Sequence, residues 1–156
     1  MEIYLDEVKI KDKEVLYRLL QYSLFEESLT DFNEMNDNAL FEYKWFDKYF
    51  EENNREAYFV KEKITNKLLG FVMINQYIKT FSNGHSIAEF MIIPKYRRKG
   101  LGKKVAFMCF NKHKGNWEVS PSFGNKTAYL FWKNVIEEYT NNNYKINNDV
   151  LTFISK

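Results

Sequence analysis

The chain has 156 residues and a formal net charge of +2, with 45% hydrophobic and 18% aromatic residues. A chain of this length and composition buries roughly two-thirds of its unfolded surface, which excludes extensive disorder and predicts one domain over residues 1–156. No apolar run approaches the roughly 20 residues of a membrane span, and the acidic N-terminus lacks a signal-peptide core, so we expect a cytoplasmic protein without a membrane partner. One cysteine, Cys109, and two separated histidines predict neither a disulfide nor a metal site.

The first half of the chain predicts one strand followed by two helices. Residues 3–8 alternate in polarity, which is typical of a strand. From Asp12 onward, leucine and valine residues recur at helical spacing as far as Leu24. After a polar loop at residues 30–38, aromatic residues between Phe41 and Phe50 follow the same spacing and predict a second amphipathic helix.

The second half begins with the period of strands. Residues 57–62, 67–77 and 85–93 predict three strands, and the last is so continuously apolar that we expect a central strand covered on both faces. A helix at 102–113, a strand at 117–120, a helix at 125–139 and a strand pair at 144–155 follow. The order β-α-α-β-β-β-α-β-α-β-β predicts an α/β fold, with a mixed sheet of six to seven strands and helices on both faces.

A basic loop with two glycines separates the strand at 85–93 from the next helix. It has the sequence RRKGLGK at residues 97–103. Glycines allow a ligand to approach the backbone closely, and the free N–H groups at a helix start attract anions. We therefore expect a pyrophosphate group at this loop, with a plain surface turn as the alternative. The spacing fits neither the P-loop nor the dinucleotide-binding glycine motif.

These residues resemble a known family. The stretch EFMIIPKYRRKGLGKK at residues 89–104 resembles the first signature of the GNAT superfamily of N-acetyltransferases, Gln/Arg-x-x-Gly-x-Gly/Ala between a strand and a helix. On the next helix, Asn125, Ala128, Phe131 and Trp132 resemble its second signature. The order of predicted elements agrees with that fold along essentially the whole chain. The segments HSIAEF and GNWEV also resemble a small bacterial subgroup of predicted acetyltransferases.

The resemblance implies acetyl-CoA as co-substrate, no metal, and direct transfer of the acetyl group to a primary amine of a small molecule or protein. The strands at 85–93 and 117–120 would splay apart to admit the pantetheine arm. The implied cofactor contacts come from the strand end, the basic loop and the following helix. They are Met91, Ile92, Ile93, Arg97, Arg98, Lys99, Gly100, Leu101, Gly102, Lys103, Asn125, Ala128, Phe131 and Trp132.

Two side chains are candidates for proton transfer, because an amine must lose a proton before it attacks a thioester. Glu89 interrupts a nearly apolar strand, where burial raises a carboxyl pKa, and the resemblance places a glutamate there near the acyl group. The alternative is a structural carboxylate at a strand end or paired with a lysine. The family often has a tyrosine beside the leaving thiolate, where this chain has Trp132, whose indole supplies no proton. Tyr129, three residues earlier, is the candidate acid, with a core aromatic as the alternative.

Acidic residues after the first helix predict the character of the acceptor. In a fold of this kind the first helices and their connection border the acceptor site, so an acidic entrance would suit a cationic amine such as a polyamine, an aminoglycoside or a protein N-terminus. A solvated polar loop is the alternative. The acidic residues are Asp31, Glu34, Asp37 and Glu42.

Two other functions remain open from the sequence. A non-catalytic acyl-CoA-binding sensor on the same fold would bind acetyl-CoA without turnover, and Trp132 in place of tyrosine favours it. A basic nucleic-acid patch with Tyr96 for stacking would bind oligonucleotides in a salt-dependent way. The small net charge disfavours that class, so we expect no nucleic-acid partner. A homodimer through the C-terminal strands or the aromatic helix is compatible with the sequence.

Overall fold

A computed structural model describes the whole chain, Met1–Lys156, as one seven-stranded sheet with three α-helices. The strands are β1 (Ile3–Glu7), β2 (Arg55–Glu62), β3 (Leu68–Asn75), β4 (His85–Ile92), β5 (Gly115–Val119), β6 (Lys145–Asn147) and β7 (Val150–Ser155). The helices are α1 (Lys13–Glu27), α2 (Leu101–Lys112) and α3 (Lys126–Thr140). None of them is long and apolar enough to cross a lipid bilayer. The predicted α/β class and mixed sheet are confirmed.

The sheet separates two hydrophobic layers. Val60 of β2 packs in one layer with Val105 of α2 and Ile136 of α3. The neighbouring Phe59 points to the other face and packs in the second layer with Leu20 of α1. Because successive strand residues face opposite sides, the apolar runs of β2 and β3 supply both layers at once. Helices therefore cover both faces, as the sequence predicts.

Strands β4 and β5 are paired only at their beginnings. The sheet order is β1-β2-β3-β4-β5-β7-β6, and β4–β5 is its one parallel pair. His85 lies opposite Trp117 and Ser86 opposite Glu118, and no pairing follows. On its other side β4 pairs with β3 as far as Ile92. Residues 87–90 are thus half-buried, not fully covered as predicted, because one edge of β4 faces a gap.

The segment from Phe41 to Phe50 differs from its prediction, since it forms turns and one short 3-10 helix, Asp47–Phe50, in place of an α-helix. Gln21 of α1 binds the backbone of Phe41: the Phe41 N–H donates to Oε1 at 2.7 Å, and Nε2 donates to the Phe41 carbonyl at 2.8 Å. Because the N–H and carbonyl groups of Phe41 bond to this side chain, they do not form the backbone hydrogen bonds of a helix. The rings of Phe41 and Tyr49 are nevertheless buried against α1, so the aromatic spacing reflects burial.

Candidate active site

The gap between β4 and β5 opens into a cleft of about 660 Å³. Its walls are the edge of β4, the N-terminus of α2, the start of α3 and the C-terminal end of α1. Most of the residues predicted from the sequence line it together. They are Glu89, Met91, Ile92, Arg97, Arg98, Gly100, Leu101, Gly102, Lys103, Asn125, Ala128, Phe131 and Trp132.

Three predicted site residues lie outside this lining: Ile93, Lys99 and Tyr129. The Ile93 N–H donates to the Leu69 carbonyl and its own carbonyl accepts from the Tyr96 N–H, both at 2.8 Å, so its backbone is used within the protein. Lys99 is an exposed loop residue. Tyr129 is half-buried on α3, three residues before Trp132, and does not belong to the lining of the cleft.

The loop before α2 forms a cradle for an anion. Gly100 adopts a left-handed conformation with φ 77°, and a Cβ placed on it would meet no atom within 4 Å. The Lys104 N–H is the first in the helix to find a backbone carbonyl, that of Gly100 at 3.2 Å. The N–H groups of residues 101–103 therefore have no acceptor within the protein and face outward at the positive end of the helix dipole. This arrangement suits a phosphate group.

Arg97 links β4 to α1 by hydrogen bonds, so its charge is already paired within the protein. Its Nε donates to the Ile92 carbonyl at 2.6 Å, and its terminal nitrogens donate to the two carboxylate oxygens of Glu26 at 2.7 and 3.0 Å. These hydrogen bonds hold the pKa of Glu26 below its usual value. The bidentate pair ties the end of α1 to the end of β4. Lys103 is ion-paired with Glu138 at 3.0 Å, whereas Arg98 has no such partner.

The α3 wall of the cleft combines an amide with aromatic rings. Asn125 caps α3, because its Oδ1 accepts the Ala128 N–H at 2.9 Å, and its NH₂ group has no protein acceptor. The ring of Phe90 lies 5.8 Å from that of Phe131 and 5.0 Å from that of Trp132. Trp132 is 6% exposed, so most of its ring belongs to the core and only part of it lines the cleft.

Glu89 is the buried carboxyl of the cleft. Its Oε1 is buried without a hydrogen-bond partner, and its Oε2 lies 3.5 Å from the Tyr43 hydroxyl. Met73 of β3 lies opposite Glu89 and the next residue, Ile74, opposite Ile87, so Ala88 is an extra residue that makes β4 bulge beside Glu89, and bulges re-aim side chains. Burial first, and then the charge of Glu27 and a hydrogen bond to it, raise the pKa of Glu89 well above its usual value. Glu89 is thus not paired with a lysine.

Two further acidic residues of the cleft are not among those predicted from the sequence. Glu26 and Glu27, at the end of α1, line the cleft. The residues predicted to form an acidic entrance do not line it: Asp31, Glu34, Asp37 and Glu42. A signal was present for Glu27, because it continues the buried helical face of Leu20 and Leu24 at positions i, i+4 and i+7. A carboxyl on an apolar helix face is the same signal that singled out Glu89 in its strand.

Comparisons with known proteins agree with this architecture. Residues 21–134 match the family model described as the acetyltransferase (GNAT) family. No curated protein sequence matches the chain.

Solved structures share the fold at low sequence identity. A possible acetyltransferase from Clostridium difficile 630 is 13% identical with a TM-score of 0.66, covering 87% of this chain and 90% of that one. A predicted acetyltransferase from Clostridium acetobutylicum, solved with acetyl-CoA, is 14% identical with a TM-score of 0.58, covering 84% and 88%. Spermidine N-acetyltransferase from Vibrio cholerae, in complex with CoA and spermine, is 11% identical with a TM-score of 0.61, covering 98% and 95%.

Proposed function

Since the chain belongs to the acetyltransferase (GNAT) family, we propose that it transfers an acetyl group from acetyl-CoA directly to a primary amine, with residues 1–156 acting as one domain. The observation that carries this proposal is one continuous cleft. It joins the unpaired N–H groups at the start of α2, the open edge of β4 and the buried carboxyl of Glu89. The similar folds solved with acetyl-CoA, or with CoA and spermine, support the same reading of the cleft.

The residues of the cleft fit acetyl-CoA. The N–H groups of residues 101–103 and the guanidinium of Arg98 would hold the pyrophosphate. The backbone of Met91, on the edge of β4 that β5 leaves free, would hydrogen-bond the pantetheine arm as an added strand does. The free NH₂ group of Asn125 and the ring of Phe131 would flank that arm. When bound, acetyl-CoA supplies the activated acetyl group.

In this proposal Glu89 takes a proton from the acceptor amine. The pKa of the Glu89 carboxyl is raised and is therefore closer to the pKa of an ammonium group, which favours proton transfer between them. A thiol ionises near pH 8.5, so the leaving sulfur needs no strong acid. Water in the open cleft would supply the proton, since the indole of Trp132 on the cleft wall has none to give in this pH range. Tyr129 has no part here because it lies off the cleft.

A cationic amine is the acceptor that the cleft favours. Glu27 and Glu89 both line it, and neither carboxyl is paired with a lysine, arginine or histidine. Two carboxyl groups without a paired cation would attract a positively charged acceptor.

The first test is calorimetric titration with acetyl-CoA, comparing two equal substitutions on α3. Ala128→Trp fills the cleft wall, whereas Leu130→Trp adds the same ring at a position that is 57% exposed and off the cleft. We expect micromolar binding by the wild type and Leu130→Trp and no binding by Ala128→Trp. A folded wild-type protein that binds no acetyl-CoA would refute the proposal.

Turnover is then measured as CoA release with spermidine, an aminoglycoside and a peptide N-terminus as acceptors. Glu89→Gln should lower the rate by about 100-fold or more, because a general base is worth that much. Glu34→Gln, an exposed carboxyl off the cleft, is the control. Tight acetyl-CoA binding without turnover on any amine would favour the sensor function.

A further inference from the structure

The end of helix α1 places a second carboxyl group, that of Glu27, in the same cleft as Glu89. Leu20 and Leu24 of α1 pack in one hydrophobic layer with Phe71 of β3 and Met91 of β4, which seats the last turn of the helix over β4. Glu27 ends that turn on the same face. Both carboxyl groups line the cleft, and the charge of Glu27 adds to burial in raising the pKa of Glu89.

Two carboxyl groups that interact titrate as a pair, in two steps that belong to the pair and not to either residue. Burial raises the pKa of Glu89, and the charge of Glu27 adds to that rise. Burial also raises the pKa of Glu27, while a hydrogen bond with Glu89 opposes that rise. Between the two steps the pair holds one proton and carries one negative charge.

The groups around the pair leave that charge without a cation. Asp31 and Glu26 face Glu27, but Glu26 is neutralised by Arg97. On the other side, only the Tyr43 hydroxyl approaches Glu89. No lysine, arginine or histidine forms an ion pair with either carboxyl. The Oε1 atom of Glu89 is buried and lacks any donor. A positively charged hydrogen-bond donor that enters the cleft would neutralise the charge of the pair and would also donate to the Oε1 atom of Glu89.

We propose that Glu27 and Glu89 form one catalytic carboxylate pair that binds the ammonium group of the acceptor and takes its proton. The inference rests on the proposed function and adds Glu27 as a second catalytic residue. In the step, one N–H bond of the ammonium breaks, the proton moves to the ionised carboxylate, and the amine keeps the electron pair. The monoanionic pair becomes neutral, and it releases a proton to water in the open cleft before the next cycle.

The pair is tested first without any substrate, by following glutamate side-chain ¹³C carboxyl shifts against pH. In the wild type, the Glu89 and Glu27 signals should titrate together in two steps, with Glu89 well above the usual carboxyl range. Glu27→Gln removes the like charge, so the Glu89 midpoint should fall. Glu34→Gln should leave it unchanged. Independent titration of the two wild-type signals, or an unmoved Glu89 midpoint in a folded Glu27→Gln, would overturn the pair.

Kinetics with spermidine as the probe then separates a catalytic from a structural role. For Glu27→Gln, the acidic limb of kcat/KM should shift to lower pH and kcat should fall about tenfold or more. A lower kcat with an unshifted pH profile would overturn a role in proton transfer. Because the carboxyl titration needs no turnover, a wild type that acetylates nothing would count against the proposed function while the pair is still decided by its titration.

Discussion

Gln21 holds the aromatic segment that carries Tyr43 to Glu89, and its removal should be costly. Gln21→Ala breaks two hydrogen bonds, at 2.7 and 2.8 Å, to both backbone groups of Phe41, a residue that is 3% exposed. Each bond is worth about 1 kcal/mol net, and a backbone group left unpaired adds to that loss. We expect the free energy of unfolding to fall by about 2–3 kcal/mol, which lowers Tm by roughly 4–10 °C in a chain of this length.

Urea denaturation and thermal melting measure this loss directly. Gln76→Ala serves as the control, because Gln76 is exposed and its side chain makes no hydrogen bond. Gln21→Glu is a second probe, since a carboxylate keeps the acceptor for the Phe41 N–H but loses the donor to its carbonyl, and regains it when protonated at low pH. A Gln21→Ala protein within about 0.5 kcal/mol of the wild type would refute the view that Gln21 determines the conformation at Phe41.

Three further outcomes follow from the contacts of single residues. Burial and Glu27 raise the pKa of Glu89 in the folded state, so its contribution to stability declines as pH rises from about 4.3, the unfolded value. Glu89→Gln should then be more stable than the wild type at pH 8 and equally stable near pH 4, as urea titrations at both values would show. Glu118 is 6% exposed and accepts hydrogen bonds from the backbone of Lys79 and Thr80 and from the Thr80 hydroxyl, so Glu118→Ala should lose about 3 kcal/mol in chemical denaturation. Arg97→Met should lose about 1 kcal/mol of stability, since its pair with Glu26 is partly exposed, yet keep acetyl-CoA affinity within about threefold, whereas Arg98→Met should weaken binding most at low salt in calorimetry.

The strands and the three α-helices illustrate what periodicity can predict. The alternating polarity of β1 and the apolar runs of β2 and β3 predict buried strands from a few residues each. The glycines before α2 indicate where that helix starts. The residues from Phe41 to Phe50 have helical spacing for a different reason. Their rings are buried by contact with α1, and a side chain distant in sequence, Gln21, binds the backbone that a helix would need. A pattern of burial predicts which side chains face the core, but not the hydrogen bonds that bring them there.

The same distinction applies inside the cleft. Glu89 could be singled out because a carboxyl in an apolar strand is conspicuous, and the loop at residues 97–103 because its glycines precede a helix. The difference between Glu26 and Glu27 is not local. They are adjacent and chemically identical, but 100° of helical rotation directs Glu26 to the guanidinium of Arg97 and Glu27 to the carboxyl of Glu89. The first glutamate is paired with an arginine and links α1 to the loop after β4, while the second has no paired cation and lies beside a buried carboxyl. Only the packing of α1 against β4 decides which of the two is left to meet a substrate cation.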